Sequence, residues 1–178
     1  LAGEIASVGA MTATFVKERP LPDRPGEMRE VTTDDAFEAT VRFASGAVGT
    51  LEASKVATGR KNQNTFEING SGGSVVFDLE RLNELQYYSR GDEGTEQGFR
   101  TILVTDSVHP YLTAWWPPGH IIGWEHTFIH EVRDLLLAID KGEPVYPDFY
   151  DGLRCQQVLD AALKSADERR WVEVPSEE

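Results

Sequence analysis

The alternation of apolar and polar positions is clearest between Ala36 and Phe43. Phe37, Ala39, Val41 and Phe43 are apolar, and Glu38, Thr40 and Arg42 between them are polar. A period of two predicts a strand with one face buried. Ala44-Ser45-Gly46 then predicts a tight turn into a second strand over 47–55, so the pair is a hairpin. Upstream, residues 5–16 are rich in Val, Ile, Thr and Phe and predict a strand, whereas 19–34 hold three prolines and many charges and predict a loop. Downstream, short strands are expected at 65–69, 74–77, 84–88 and 99–104, with polar loops at 59–64 and 89–98. The first 105 residues therefore predict a meander of roughly seven hairpin-linked strands, which is an antiparallel sheet.

The pattern changes in the last third. Trp124, Phe128, Val132, Leu135 and Ile139 recur at helical spacing, with Gly142 just beyond the end. A second helix is expected after Asp151 as N-cap, burying Cys155, Val158, Leu159, Ala162, Leu163 and Ala166. Trp171–Val174 is expected to return as a last strand. The expected fold is α+β: one large, mostly antiparallel, open-faced sheet with two C-terminal helices on one face. Between sheet and helices, residues 106–123 carry three prolines, two tryptophans and no periodicity. A loop that long inside a compact domain is usually functional or disordered, and its aromatics Tyr111, Trp115 and Trp116 argue against disorder.

Composition narrows the function classes. At 178 residues the chain is long enough for a core without metal or disulfide staples. The net charge of −13 argues against a nucleic-acid surface, which needs a basic face. No segment approaches the roughly 18 apolar residues of a membrane span. The single cysteine, Cys155, excludes an internal disulfide and fits a reducing, cytoplasmic setting; its mid-helix place on the packed face predicts a core thiol.

Candidate chemistry gathers near the long loop. All four histidines, His109, His120, His126 and His130, lie within 22 residues. His126 and His130 stand four apart on the first helix, a spacing that suits a shared metal, but Thr127 stands where a zinc protease needs glutamate, and a solvated or interface face explains the pair as well. Glu125 falls inside the apolar arc of the same helix, so it is near a pocket, stabilised by the helix N-terminus, or bent out to water. Tyr111, Trp115, Trp116, His120 and Trp124 form an aromatic cluster that can stack on sugar rings, anchor an interface or fill a local core. Gly70-Ser71-Gly72-Gly73 fails as a phosphate loop, because the third glycine of G-x-G-x-x-G would fall on Val75 and no helix follows; it reads as a hairpin turn.

Taken in order, several segments resemble one family. Leu1-Ala2-Gly3-Glu4-Ile5 with Val8, Asp35-Ala36 through Phe43 and Gly46-Ala47, Ile68-Asn69-Gly70 to Gly73-Ser74, and Asp151-Gly152-Leu153 with Val158-Leu159-Asp160-Ala161-Ala162 and Arg170-Trp171-Val172 resemble the C-terminal domain of the Gfo/Idh/MocA oxidoreductases. The resemblance implies a parent enzyme that binds NAD or NADP in an N-terminal Rossmann domain and moves hydride to or from a sugar, polyol or related hydroxy or keto compound. It also implies a homo-oligomer joined through the open sheet face.

The family's glycine fingerprint is absent here, as are its Glu-Lys-Pro and its Asp-x-x-x-His. Glu18-Arg19-Pro20 mimics the tripeptide only on paper, since arginine does not readily give up a proton. With no initial Met, the chain is therefore expected to be a truncated single domain, 1–178, starting just after the catalytic helix. It is expected to hold no catalytic, cofactor or metal site of its own and to be inactive alone. The residues expected to contact substrate are His120, Trp116 and Trp124, then Glu125 and Tyr111, with Lys55 and Arg60 as weaker candidates. A metal-dependent hydrolase using His120, His126, His130 and Glu125, and a stand-alone sugar-binding or assembly module, are the alternatives.

Overall fold

A computed structural model describes residues 2–175. Leu1, where the first of the family-like segments begins, lies outside the described residues. The fold is α+β with antiparallel strands and two helices near the C-terminus. The chain divides into two compact units, one running to Gly59 and resuming at Pro147, the other spanning Arg60–Tyr146.

In the first unit, β1 (Ile5–Ala13), β4 (Ala36–Phe43), β5 (Val48–Ser54) and β10 (Val172–Glu173) form a sheet in the order β10-β1-β4-β5. The alternation along β4 is obeyed: Ala39 and Val41 are buried while Glu38, Thr40 and Arg42 are exposed. Val8 stands opposite Val41 in the register, and both are fully buried. Each such valine contributes about 2 kcal/mol by leaving water. The helix α2 (Phe149–Glu168) closes this core with Ala161 and Ala162, small residues that let the helix lie close on the strands.

Three expectations for this unit are corrected. Residues 19–34 are not all loop: β2 (Glu18–Pro20) and β3 (Met28–Glu30) pair as a short exposed ribbon, which charged, proline-bearing residues can form because ribbon edges need no apolar face. Helix α2 is capped by Asp148 rather than Asp151. The Asp148 carboxylate accepts the N–H groups of Tyr150 and Asp151, and the Asp151 carboxylate accepts the Asp148 N–H at 2.8 Å, a reciprocal box. The face turned to β1 and β10 is Val158, Ala161, Ala162 and Ser165, set by the packing of α2 on those strands. Cys155, Leu159 and Leu163 are exposed, so Cys155 is not a core thiol.

In the second unit, β6 (Thr65–Asn69), β7 (Gly73–Asp78), β8 (Glu84–Ser89) and β9 (Arg100–Leu103) form a second sheet in chain order. Hydrogen bonding thus divides the strands between two four-stranded sheets and the ribbon. The 70–73 segment is the expected hairpin turn, closed by the Gly70 N–H donating to the Gly73 carbonyl at 2.8 Å. A Cβ on Gly73 would lie 2.3 Å from the Tyr88 carbonyl oxygen, so only glycine lets β7 and β8 approach there.

This unit also holds α1 (Trp124–Lys141), ended by Gly142 in the left-handed region at φ 67°. Of the two helices, then, α2 packs on β1 and β10, and α1 belongs to the other unit. The half-buried positions of α1 are not its apolar stripe but the row His126, His130 and Asp134; Trp124, Phe128, Val132 and Ile139 are about half exposed or more. The loop before α1 packs on this polar row, where its indole N–H and phenol O–H find acceptors in His130 and Asp134.

Candidate functional site: the aromatic loop on helix α1

The loop 106–123 is fastened to α1 by a network of aromatic and titratable side chains. Trp115 donates its indole N–H to His130 Nε2 at 2.7 Å. The Tyr111 ring stacks on the His130 imidazole, with centroids 4.3 Å apart and planes 12° apart. The Tyr111 hydroxyl donates to Asp134 at 2.6 Å, and the Arg133 guanidinium lies over the Tyr111 ring at 5.6 Å. Trp115 also meets His126 edge to face at 4.5 Å. Tyr111 holds φ at 69°, a left-handed conformation that a bulky residue adopts only at a cost of about 1–2 kcal/mol, and its stacking and hydroxyl bond offset that strain.

The loop is pinned at its last two residues, Ile122 and Gly123. Asn83, between β7 and β8, accepts the Ile122 N–H at 2.9 Å and donates to the Ile122 carbonyl at 2.8 Å. His126 Nδ1 accepts the Gly123 N–H at 3.0 Å, so a histidine side chain supplies the first contact of the helix. The electrostatics follow the bonds. The Tyr111 phenol is pushed above its usual range, first by its bond to Asp134 and then by burial. That same bond holds the Asp134 carboxyl below its usual range. Burial pushes the His130 imidazole down, and the neighbouring His126 adds to that, against the pull of Asp134.

The expected site residues divide between the units. Tyr111 sits inside the network. Trp116 is 72% exposed beside it, with His120 at a ring separation of 6.5 Å. His120 Nδ1 lies 2.8 Å from the Pro117 carbonyl; since a carbonyl only accepts, Nδ1 carries the proton. Trp124 opens α1 and meets Phe128 edge to face at 5.7 Å. Glu125 is turned to water, its carboxylate folded back over the helix start, where a Cβ on Gly123 would meet it at 2.8 Å. Negative charge there is favoured by the free N–H groups of the first turn.

Arg60 is exposed in the loop before β6. Lys55 belongs to the first unit, where its ammonium lies 3.4 Å from Asp35 Oδ1. Asp35 is buried and accepts the Phe15 and Val16 N–H groups at 2.7 and 2.8 Å on its other oxygen. Those bonds, the Val16 one foremost, hold its carboxyl below the usual range against the opposing effect of burial.

Sequence reading passed over Asp134 and Asn83, and it quoted Asp35 only as part of a family-like segment, without a role. Asp134 had a signal, since it extends the row His126–His130 by one more turn. Asn83 had none, because its partners are the backbone groups of Ile122, 39 positions along the chain. The metal-hydrolase alternative is not favoured. His126 Nδ1 and His130 Nε2 already accept protein N–H groups, and among the described residues no three His, Cys, Asp or Glu side chains are grouped to hold a metal ion.

Comparison with known proteins places this arrangement. The sequence model of the oxidoreductase family's C-terminal alpha/beta domain, GFO_IDH_MocA_C, matches residues 1–174. The chain belongs to this family. Levoglucosan dehydrogenase of Pseudarthrobacter phenanthrenivorans is 41% identical over 98% of this oxidoreductase-family chain and 48% of its own length. A crystal structure of an oxidoreductase domain protein from Kribbella flavida shares 48% identity with a TM-score of 0.91, over 97% of this chain and 45% of that one. A levoglucosan dehydrogenase complex with NADH and L-sorbose shares 42% identity with a TM-score of 0.91, over 98% of this chain and 46% of that one. The chain thus spans about half the length of these relatives.

The one glycine-rich turn of the expected kind joins β6 to β7, so no helix N-terminus meets a pyrophosphate there. Among the described residues no helix is long and apolar enough to cross a membrane.

Proposed function

We propose that this chain is the C-terminal, substrate-facing and subunit-joining part of an NAD(P)-dependent dehydrogenase that acts on a pyranose, an anhydro sugar or a related polyol. The observation that carries the reading is the 41% identity to levoglucosan dehydrogenase along 98% of the chain. The aromatic loop supports it physically. An exposed indole such as Trp116 offers a flat apolar face to the C–H face of a sugar ring. With Nδ1 donating to the Pro117 carbonyl, His120 leaves Nε2 to hydrogen-bond a sugar hydroxyl. Trp124 and the ring of Tyr111 extend the aromatic surface, and Glu125 and Arg60 on the same unit, with Lys55 on the other, are the polar candidates for substrate contact.

The nicotinamide cofactor, NAD or NADP, belongs in this reading to a Rossmann domain outside the chain, and the 178-residue chain alone is inactive. The exposed apolar stripe of α1 supports contact with further protein, and in this reading a second copy joins through the open face of the first sheet.

Two measurements test the reading. The whole protein that carries this sequence is expected to reduce NAD or NADP with levoglucosan or another pyranose, and to lose most of its apparent sugar affinity in Trp116→Ala and His120→Ala. Absence of reduction across anhydro sugars, pyranoses and inositols would refute the substrate class. Tight one-to-one binding of NADH by the 178-residue chain alone would refute the placement of the cofactor outside it.

A further inference from the structure

An indole nitrogen has one role in hydrogen bonding, because it carries a hydrogen and has no lone pair in the ring plane. The 2.7 Å contact between Trp115 Nε1 and His130 Nε2 therefore requires His130 Nε2 to be bare. A protonated imidazole carries hydrogens on both nitrogens, and two N–H groups facing each other at that distance repel. The bond exists only with neutral His130.

Every group that faces His130 in this unit is on hand to judge how it responds. From the loop, Trp115 donates to it and the Tyr111 ring covers it. From α1, His126 stands one turn before it, Asp134 one turn after it, and Arg133 beside Asp134. Asp134 is the one group that favours a proton on His130, and its Oδ2 is occupied by the Tyr111 hydroxyl and its Oδ1 by Arg133 at 2.7 Å. The surroundings are thus built to keep His130 neutral, and they do so at the point where a strained Tyr111 must be held against α1.

We propose that His130 is the positioning residue of the aromatic loop, and that its hold on Trp115 is released by acid. Protonation moves one proton from solvent onto Nε2, ends the acceptor role, and frees the Trp115 indole to water while the Tyr111–Asp134 bond and the Asn83 clamp remain. The loop then loosens at 115–116 without unfolding. This surface is the one assigned above to substrate, and the proposal rests on that reading only for its effect on sugar binding.

The test uses the 178-residue chain with isotope-labelled tryptophan and no ligand. The four indole N–H signals are assigned by single Trp→Phe variants, and their exchange with water is followed from about pH 8 to about pH 5, the span in which a histidine changes charge. The Trp115 indole is expected to exchange about tenfold more slowly than the exposed Trp116 indole at neutral pH, the factor set by one ordinary hydrogen bond. That protection is expected to vanish in step with the His130 ring resonances, below the pH of an unperturbed histidine.

His130→Gln offers an amide oxygen that accepts at any pH. It is expected to keep protection that no longer depends on pH, while His126→Gln leaves the Trp115 transition in place. Protection in the wild type that persists after His130 is fully protonated, or a transition that survives His130→Gln, would overturn the proposal. Loss of sugar binding at neutral pH with an intact indole transition would instead count against the substrate reading alone.

Discussion

The edge of β1 depends on one hydroxyl, and its removal has a calculable cost. β10 pairs with β1 only at Ser7 and Val8, so the Ala10 N–H beyond it meets no strand. Ser165, 1% exposed on α2, replaces the missing partner. Its Oγ accepts the Ala10 N–H at 2.9 Å and donates to the Arg170 carbonyl at 2.6 Å, just past the end of the helix. Ser165→Ala removes a single oxygen, so cavity formation adds little. What is lost is two hydrogen bonds worth about 1 kcal/mol each, plus part of the penalty of about 1–3 kcal/mol for a buried group left without a partner.

The expected destabilisation is about 2–3 kcal/mol. Urea unfolding followed by circular dichroism measures it, with an unchanged dependence on urea showing that the unfolded state is the same. Amide exchange is expected to accelerate in β1 and the last turns of α2, and not in β6 to β9. Ser45→Ala, at an exposed turn, is the control and is expected to stay within about 0.5 kcal/mol of the wild type. An equally small change for Ser165→Ala would refute the claim that this hydroxyl closes the edge.

Three further outcomes follow from the packing and the charges. Gly73→Ala drives a methyl group against the Tyr88 carbonyl and is expected to cost about 2–3 kcal/mol, read as a lowered urea midpoint with increased exchange in β7 and β8. Asp148→Ala removes the acceptor for two N–H groups at the start of α2 and is expected to cost about 1 kcal/mol, seen as faster exchange at Tyr150 and Asp151. Asp35 has its carboxyl held down in the folded state, so its contribution is complete above the unfolded carboxylate range and is lost as pH falls through the lower folded value. Urea titrations from neutral to acid pH are therefore expected to show a loss of stability in the wild type that Asp35→Asn flattens; an equally steep loss in the variant would refute it.

Much of the architecture was legible because it is local. Period-two alternation placed β4 to the residue, and glycine and turn chemistry placed the 70–73 hairpin and the end of α1. The ribbon of β2 and β3 was not legible, since its residues carry no apolar face to mark it. The start of α2 was misplaced by three residues because Asp148 and Asp151 are both good caps, and only their reciprocal bonding distinguishes cap from third residue.

Sequence by itself determined the family, the fold class and the gathering of aromatics and histidines in one stretch, because those rest on residue order and short-range periodicity. Which face of α1 would meet the loop was decided by tertiary structure alone. The donors of Trp115 and Tyr111 meet His130 and Asp134, on the side opposite the apolar stripe, where an imidazole nitrogen and a carboxylate accept them. The same bonds separate the candidate residues: Tyr111 and His130 hold the loop, and Trp116 and His120 are left facing outward.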